Sequence, residues 1–60
     1  MISKEGAALF KDKPVFIELN GKFYKGVVLD VSDTELILRF NSSKQVYALS
    51  EITAIREVTE

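Results

Sequence analysis

One stretch limits what this chain can fold into. Asn20-Gly21 stands before a ten-residue run, KFYKGVVLDV, that holds a single glycine, Gly26. Asn-Gly between alternating segments is the strongest short hairpin signal, because both residues tolerate positive φ. A ten-residue strand is longer than the usual five or six. An interior glycine weakens a strand but permits a sharp bend or close backbone approach. The run therefore predicts a long strand, 22–31, bent at Gly26 and shared by both halves of a small sheet structure.

The flanking segments agree. Residues 15–19 alternate, with Val15, Ile17 and Leu19 on one face and Phe16 and Glu18 on the other. Ser32-Asp33-Thr34 reads as a polar turn. A third strand follows over 35–40, with Leu36, Leu38 and Phe40 on one face. Residues 41–44 form the next turn, 45–49 a fourth strand and 52–58 a fifth, with Ser50-Glu51 as a tight turn. Ahead of the strands, Ser3 is a helix cap and 3–11 a short helix, ended by Lys13-Pro14. So short a helix must dock to persist, through Ile2, Leu9 or Phe10. The expected fold is all-β with a small helical addition. A short N-terminal helix precedes a five-stranded, strongly bent antiparallel barrel, closed or nearly so, in one domain over 1–60.

Composition enters through stability. A 60-residue chain buries only about 60% of its unfolded surface. Small domains compensate with disulfides, metals or association. There is no Cys and no His, which removes disulfides and ordinary zinc sites. Association remains, and 47% hydrophobic content supplies apolar surface for it. Sheet edges left open invite a neighbouring copy.

Enzyme chemistry finds little material, and no cofactor is implied. No His or Cys can serve as base or nucleophile, and the nine acids are scattered. Asp30, Asp33 and Glu35 cluster and could hold a hard cation, but EF-hand spacing is missing and a solvated turn is the plainer reading. Gly21 to Gly26 has phosphate-loop glycine spacing. Val27-Val28 then stand where Lys-Ser/Thr should follow, which rejects that motif.

Net charge is −1, so bulk electrostatics do not mark a nucleic-acid coat, although a local basic patch is compatible. Lys22-Phe23-Tyr24-Lys25 interleaves aromatic with basic residues, a pattern in which rings can stack on bases and lysines meet phosphates, although ordinary solubilising charges are the plainer reading of the lysines. Phe23 and Tyr24 point to opposite faces, and burial of at least one is the plainer reading. Tyr47 fits core, rim or stacking platform. No run approaches a membrane span, and Met1-Ile2-Ser3-Lys4-Glu5 lacks a signal-peptide layout; a cytoplasmic protein without a membrane partner is expected.

On these residues the chain resembles the Sm-like superfamily, and within it the bacterial Hfq family. Pro14-Val15 leads into a strand ending Leu19-Asn20-Gly21, Gly26 falls at the family's bent strand, and Leu36-Ile37-Leu38-Arg39 matches its aliphatic third strand. Val46-Tyr47 and Ile52-Thr53-Ala54-Ile55 match the fourth and fifth. The resemblance implies a homo-oligomeric ring, made by pairing the fourth strand of one subunit with the fifth of the next, and RNA binding on the ring's faces. Hfq carries an Asp-Gln-Phe turn where Ser32, Asp33 and Thr34 stand, and a Tyr-Lys-His end where Tyr47-Ala48-Leu49 stands, so the uridine-stacking aromatic and its Lys and His partners are absent. The purine-binding face maps onto Lys22, Tyr24 and Lys25. The resemblance thus implies RNA-binding candidates Lys22, Tyr24, Lys25, Ser32, Asp33 and Thr34. A protein-interaction module on the same barrel, and a monomeric SH3-like accessory domain, are the competing readings.

Overall fold

The structure is a computed structural model and describes residues 2–59. Its elements are a helix α1 (Lys4–Ala8) and strands β1 (Pro14–Leu19), β2 (Lys22–Val31), β3 (Glu35–Phe40), β4 (Ser43–Ala48) and β5 (Ile52–Glu57). A 3₁₀ turn, Leu49–Glu51, joins the last two. The strands form one antiparallel sheet in the order β4-β3-β2-β1-β5.

The hairpins follow from turn chemistry. Asn20 and Gly21 both have positive φ, 52° and 79°, which is the type I′ combination that suits strand twist. Leu19 therefore faces Lys22, and the register runs back to Pro14 opposite Val27. Asn41 is the left-handed residue of the β3–β4 turn, where Phe40 faces Ser43. That turn is two residues long rather than four, so β4 begins at Ser43 and ends at Ala48, earlier at both ends than the expected 45–49. Between β2 and β3 the Ser32 hydroxyl accepts from the Glu35 and Thr34 backbone N–H groups, at 3.0 and 3.3 Å, and stiffens the polar turn.

The long second strand is present and bends twice over. Its pairing with β3 shifts register at Leu29, between Val28 and Asp30. At Gly26 the β3 backbone comes so close that an added Cβ would lie 2.9 Å from the Arg39 carbonyl oxygen. Curling is also forced by the linker. The outer strands of a flat five-stranded sheet stand roughly 19 Å apart. Three residues of 3₁₀ helix between Ala48 and Ile52 cover only about 8 Å. The sheet must curve until those two strand ends meet.

The curl does not close into a full barrel. β4 pairs only with β3 and β5 only with β1, so each keeps one free edge. The 3₁₀ turn joins the adjoining ends of β4 and β5, and the β1–β5 ladder is itself interrupted by a bulge between Glu18 and Leu19.

The inner face of the curl holds the core. Val15, Ile17, Leu19, Val28, Leu36, Leu38, Leu49 and Ile52 are buried there with Ala7 from the helix. Six of these come from β1, β2 and β3, where strict alternation put them. The helix is shorter than the expected 3–11. Ser3 caps it through a 3.0 Å bond from the Gly6 N–H, but regular turns stop at Ala8. The physical reason is competition from β2: Asp12, at φ 67°, donates to the Val28 carbonyl at 2.7 Å, and Val28 donates back to Lys13 at 3.1 Å. Ala7, Ile2 and Phe10 dock the helix, whereas Leu9 faces away from the core. β5 stops at Glu57, one residue before the expected end; Val58 still donates to the Pro14 carbonyl.

Candidate nucleic-acid interface

β1 accompanies β2 down to Lys22, but β3 leaves β2 at Val27, opposite Arg39. Beyond that point the β1–β2 and β3–β4 hairpins diverge. Between them lies an open groove of about 660 Å³. Phe23, Tyr24 and Lys25 form one wall; Phe40 to Ser43, Gln45 and Tyr47 form the other.

The register decides which side each residue takes. Tyr24 faces Ile17 across the ladder and Tyr47 faces Leu36, so both rings sit on the inner face of the sheet. Their centroids lie 5.4 Å apart with planes tilted by 41°, an ordinary aromatic contact. Burial, and after it the Tyr24 phenol, holds the Tyr47 phenol above its usual pKa. Lys22 opposes Leu19 and shares the inner face. Lys25 opposes Phe16 on the outer face, its Nζ 5.8 Å from that ring's centroid. Phe23 also points outward and is 69% exposed, while Tyr24 is 38% exposed. Neither aromatic is a core residue, contrary to the expectation that at least one would be. β3 is no longer beside them to cover either ring.

Charge is segregated along the molecule. Residues 20–29 and 36–50 contain no carboxylate but four cations, Lys22, Lys25, Arg39 and Lys44. Arg39 and Lys44 face each other on β3 and β4, and Arg39 also faces Val27, two residues along the outer face from Lys25. No carboxylate lines the groove. Most acids lie elsewhere, several around the β2–β3 turn and the helix, but Glu18 stands on β1 opposite Phe23. A net charge of −1 thus conceals a cationic end. The two carboxylate-free windows were legible in the sequence. Their juxtaposition, with Phe40 in the groove wall and Arg39 and Lys44 on the outer face of the same hairpin, required the fold.

The six candidate residues split into two groups. Lys22, Tyr24 and Lys25 stand at the start of β2, and Ser32, Asp33 and Thr34 follow its other end. The second group is engaged internally. The Ser32 hydroxyl holds its own turn, and Asp33 Oδ1 accepts from Lys4 Nζ at 3.0 Å. That contact is also what raises the Lys4 pKa, the hydrogen bond first and the charge second. The possible cation cluster does not assemble either: Asp30 accepts from the Val31 N–H, Asp33 turns to Lys4, and no group of three ligating side chains converges among the described residues. No helix among those residues is long and apolar enough to cross a membrane.

No family model matches the chain, and neither a curated protein nor a solved structure matches it significantly.

Proposed function

We propose that this is an Sm-like, Hfq-like, non-catalytic protein of the cytoplasm that forms rings and binds single-stranded RNA with low sequence specificity. The carrying observation is the groove itself, where exposed Tyr24 and Phe40 and half-buried Tyr47 stand with Lys25 and no carboxylate in the lining, while Lys22, Arg39 and Lys44 lie on the same strands nearby. Aromatic faces stack on any base and cations meet phosphates, which gives affinity without much sequence preference. A helix followed by five strands, with a bent second strand, is the element order the resemblance implies.

Ring formation is the second half of the proposal. β4 and β5 each have a free edge, and β4 of one copy pairs with β5 of the next. Each copy then contributes one cationic end, and repetition converts weak sites into avidity. One observation favours the competing protein-interaction reading: Ser32, Asp33 and Thr34, which stand at the Hfq uridine turn, are committed to their own turn and to Lys4.

Fluorescence anisotropy with U-rich and A-rich oligonucleotides across salt tests the RNA half. Binding is expected, with log affinity falling linearly in log salt by about 0.7 per phosphate neutralised. Lys22→Ala with Lys25→Ala weakens it without unfolding the protein. No binding of either oligonucleotide at low salt overturns the RNA reading. Light scattering that shows only monomer at micromolar concentration removes the ring.

A further inference from the structure

The groove wall formed by β2 is an open strand edge as well as a row of side chains. β1 bonds residues 22–25 on one side, and β3 has already departed on the other. The Asn20-Gly21 turn sets which groups face the opening. A two-residue I′ turn joins its flanking residues, here Leu19 and Lys22, by a hydrogen-bonded pair, and bonded pairs alternate from there. Lys22 and Tyr24 therefore direct N–H and C=O toward β1. Phe23 and Lys25 direct theirs into the groove, where the β3 ladder no longer reaches them.

We infer that this edge takes an extended acidic segment of a partner protein, added to β2 as a further strand beside Phe23 and Lys25. Strand addition uses main-chain bonds for affinity and alternate side chains for specificity. The two faces of the groove set that alternation. Side chains of the added strand that point inward meet Tyr24 and Tyr47, which favours apolar residues. Those that point outward lie on the side of Lys25 and Arg39, which favours carboxylates. Charge complementarity is one-sided, because no carboxylate lines the groove to repel an acidic strand. Glu18, opposite Phe23, lies on the far side of β2 from the opening. The inference goes beyond RNA binding and does not depend on it. Peptide and RNA would occupy the same space and exclude each other.

The test uses a labelled octapeptide of alternating Glu and Val, capped at both ends, and the same peptide N-methylated at every amide. Methylation keeps charge and side chains but removes the donors a strand needs. By anisotropy at low salt, the plain peptide binds and the methylated one binds at least ten-fold more weakly. On the protein side, Phe23→Pro deletes the N–H aimed at the groove, whereas Phe23→Ala keeps it. Proline is tolerated where the N–H faces away from the ladder. Phe23→Pro lowers peptide affinity at least ten-fold relative to Phe23→Ala. The methylated-peptide comparison on the unaltered protein stands even if Phe23→Pro fails to fold. Equal binding of plain and methylated peptides, or no binding of the plain peptide, overturns the inference. Peptide binding without oligonucleotide binding overturns the RNA reading alone; the reverse result overturns this one alone.

Discussion

Tyr24 and Tyr47 touch across the groove, 5.4 Å between ring centroids, although their strands are not neighbours in the sheet. β3 lies between β2 and β4, and the contact exists because the sheet curls about it. This pair reports on the curl and gives the first prediction. The Tyr47 phenol is held above its usual value by burial and then by Tyr24. A phenol raised in the folded state keeps its proton longer there than in the unfolded chain. Stability is therefore highest below the unfolded value, about 10, and falls as pH rises through the folded value. Tyrosinate absorbance sees phenols and ignores Lys4, which titrates in the same direction. The component removed by Tyr47→Phe is expected to titrate above the ordinary phenol range. A component at or below pH 10 contradicts the packing described.

Gly26 is expected to resist even a methyl group. A Cβ there would stand 2.9 Å from the Arg39 carbonyl oxygen and 3.2 Å from Leu38 Cβ, and backbone does not move aside cheaply. Gly26→Ala should cost about 1–3 kcal/mol through overpacking. In a domain of this size each kcal/mol lowers Tm by about 4–8 °C. Calorimetry showing an unchanged Tm would mean that β2 and β3 do not approach so closely.

Two apolar residues on β1 and β2 should behave oppositely under denaturant. Ile17→Val trims a fully buried side chain and is expected to cost about 0.5–1.5 kcal/mol. Phe23→Ser replaces a larger side chain yet should stay within about 0.5 kcal/mol, since the ring is mostly in solvent. A loss above about 2 kcal/mol at Phe23 would place it in a core after all.

The proposed ring has a local test at Val46, 56% exposed on β4. Phe40 and Ser43 flank a two-residue turn, so bonded pairs alternate from them and Val46 directs its N–H away from β3. Val46→Pro deletes that donor without touching the β3 ladder. If β4 pairs with a neighbour's β5, light scattering should show smaller assemblies for Val46→Pro than for the unaltered chain. Identical masses for two assembled samples would move the interface elsewhere.

Local chemistry wrote much of this structure into the chain. Alternation at Val15, Ile17 and Leu19, and again at Leu36 and Leu38, named the buried face, because side chains on a strand change sides with every residue. Asn20-Gly21 fixed one hairpin register, because few other pairs accept positive φ twice. The helix end was less legible: nothing near Ala8 announces that Val28, twenty residues on, will capture Asp12 and Lys13.

The candidate site divides in the same way. Lys22, Tyr24 and Lys25 were visible as an interleaved run, and the absence of acids from 20–29 and 36–50 is a property of the sequence. Whether Phe23 and Tyr24 were core could not be read locally, because that depends on where β3 leaves β2. The sequence by itself determined five strands, their facing residues and a glycine where backbones crowd. Only the tertiary structure decided that the sheet curls without closing, that the β1–β2 and β3–β4 hairpins diverge around a groove whose lining holds Lys25 and no carboxylate, and that Ser32, Asp33 and Thr34 lie at the far end. Strand identity is settled by neighbours along the chain, whereas curvature and groove depend on contacts between residues far apart in it.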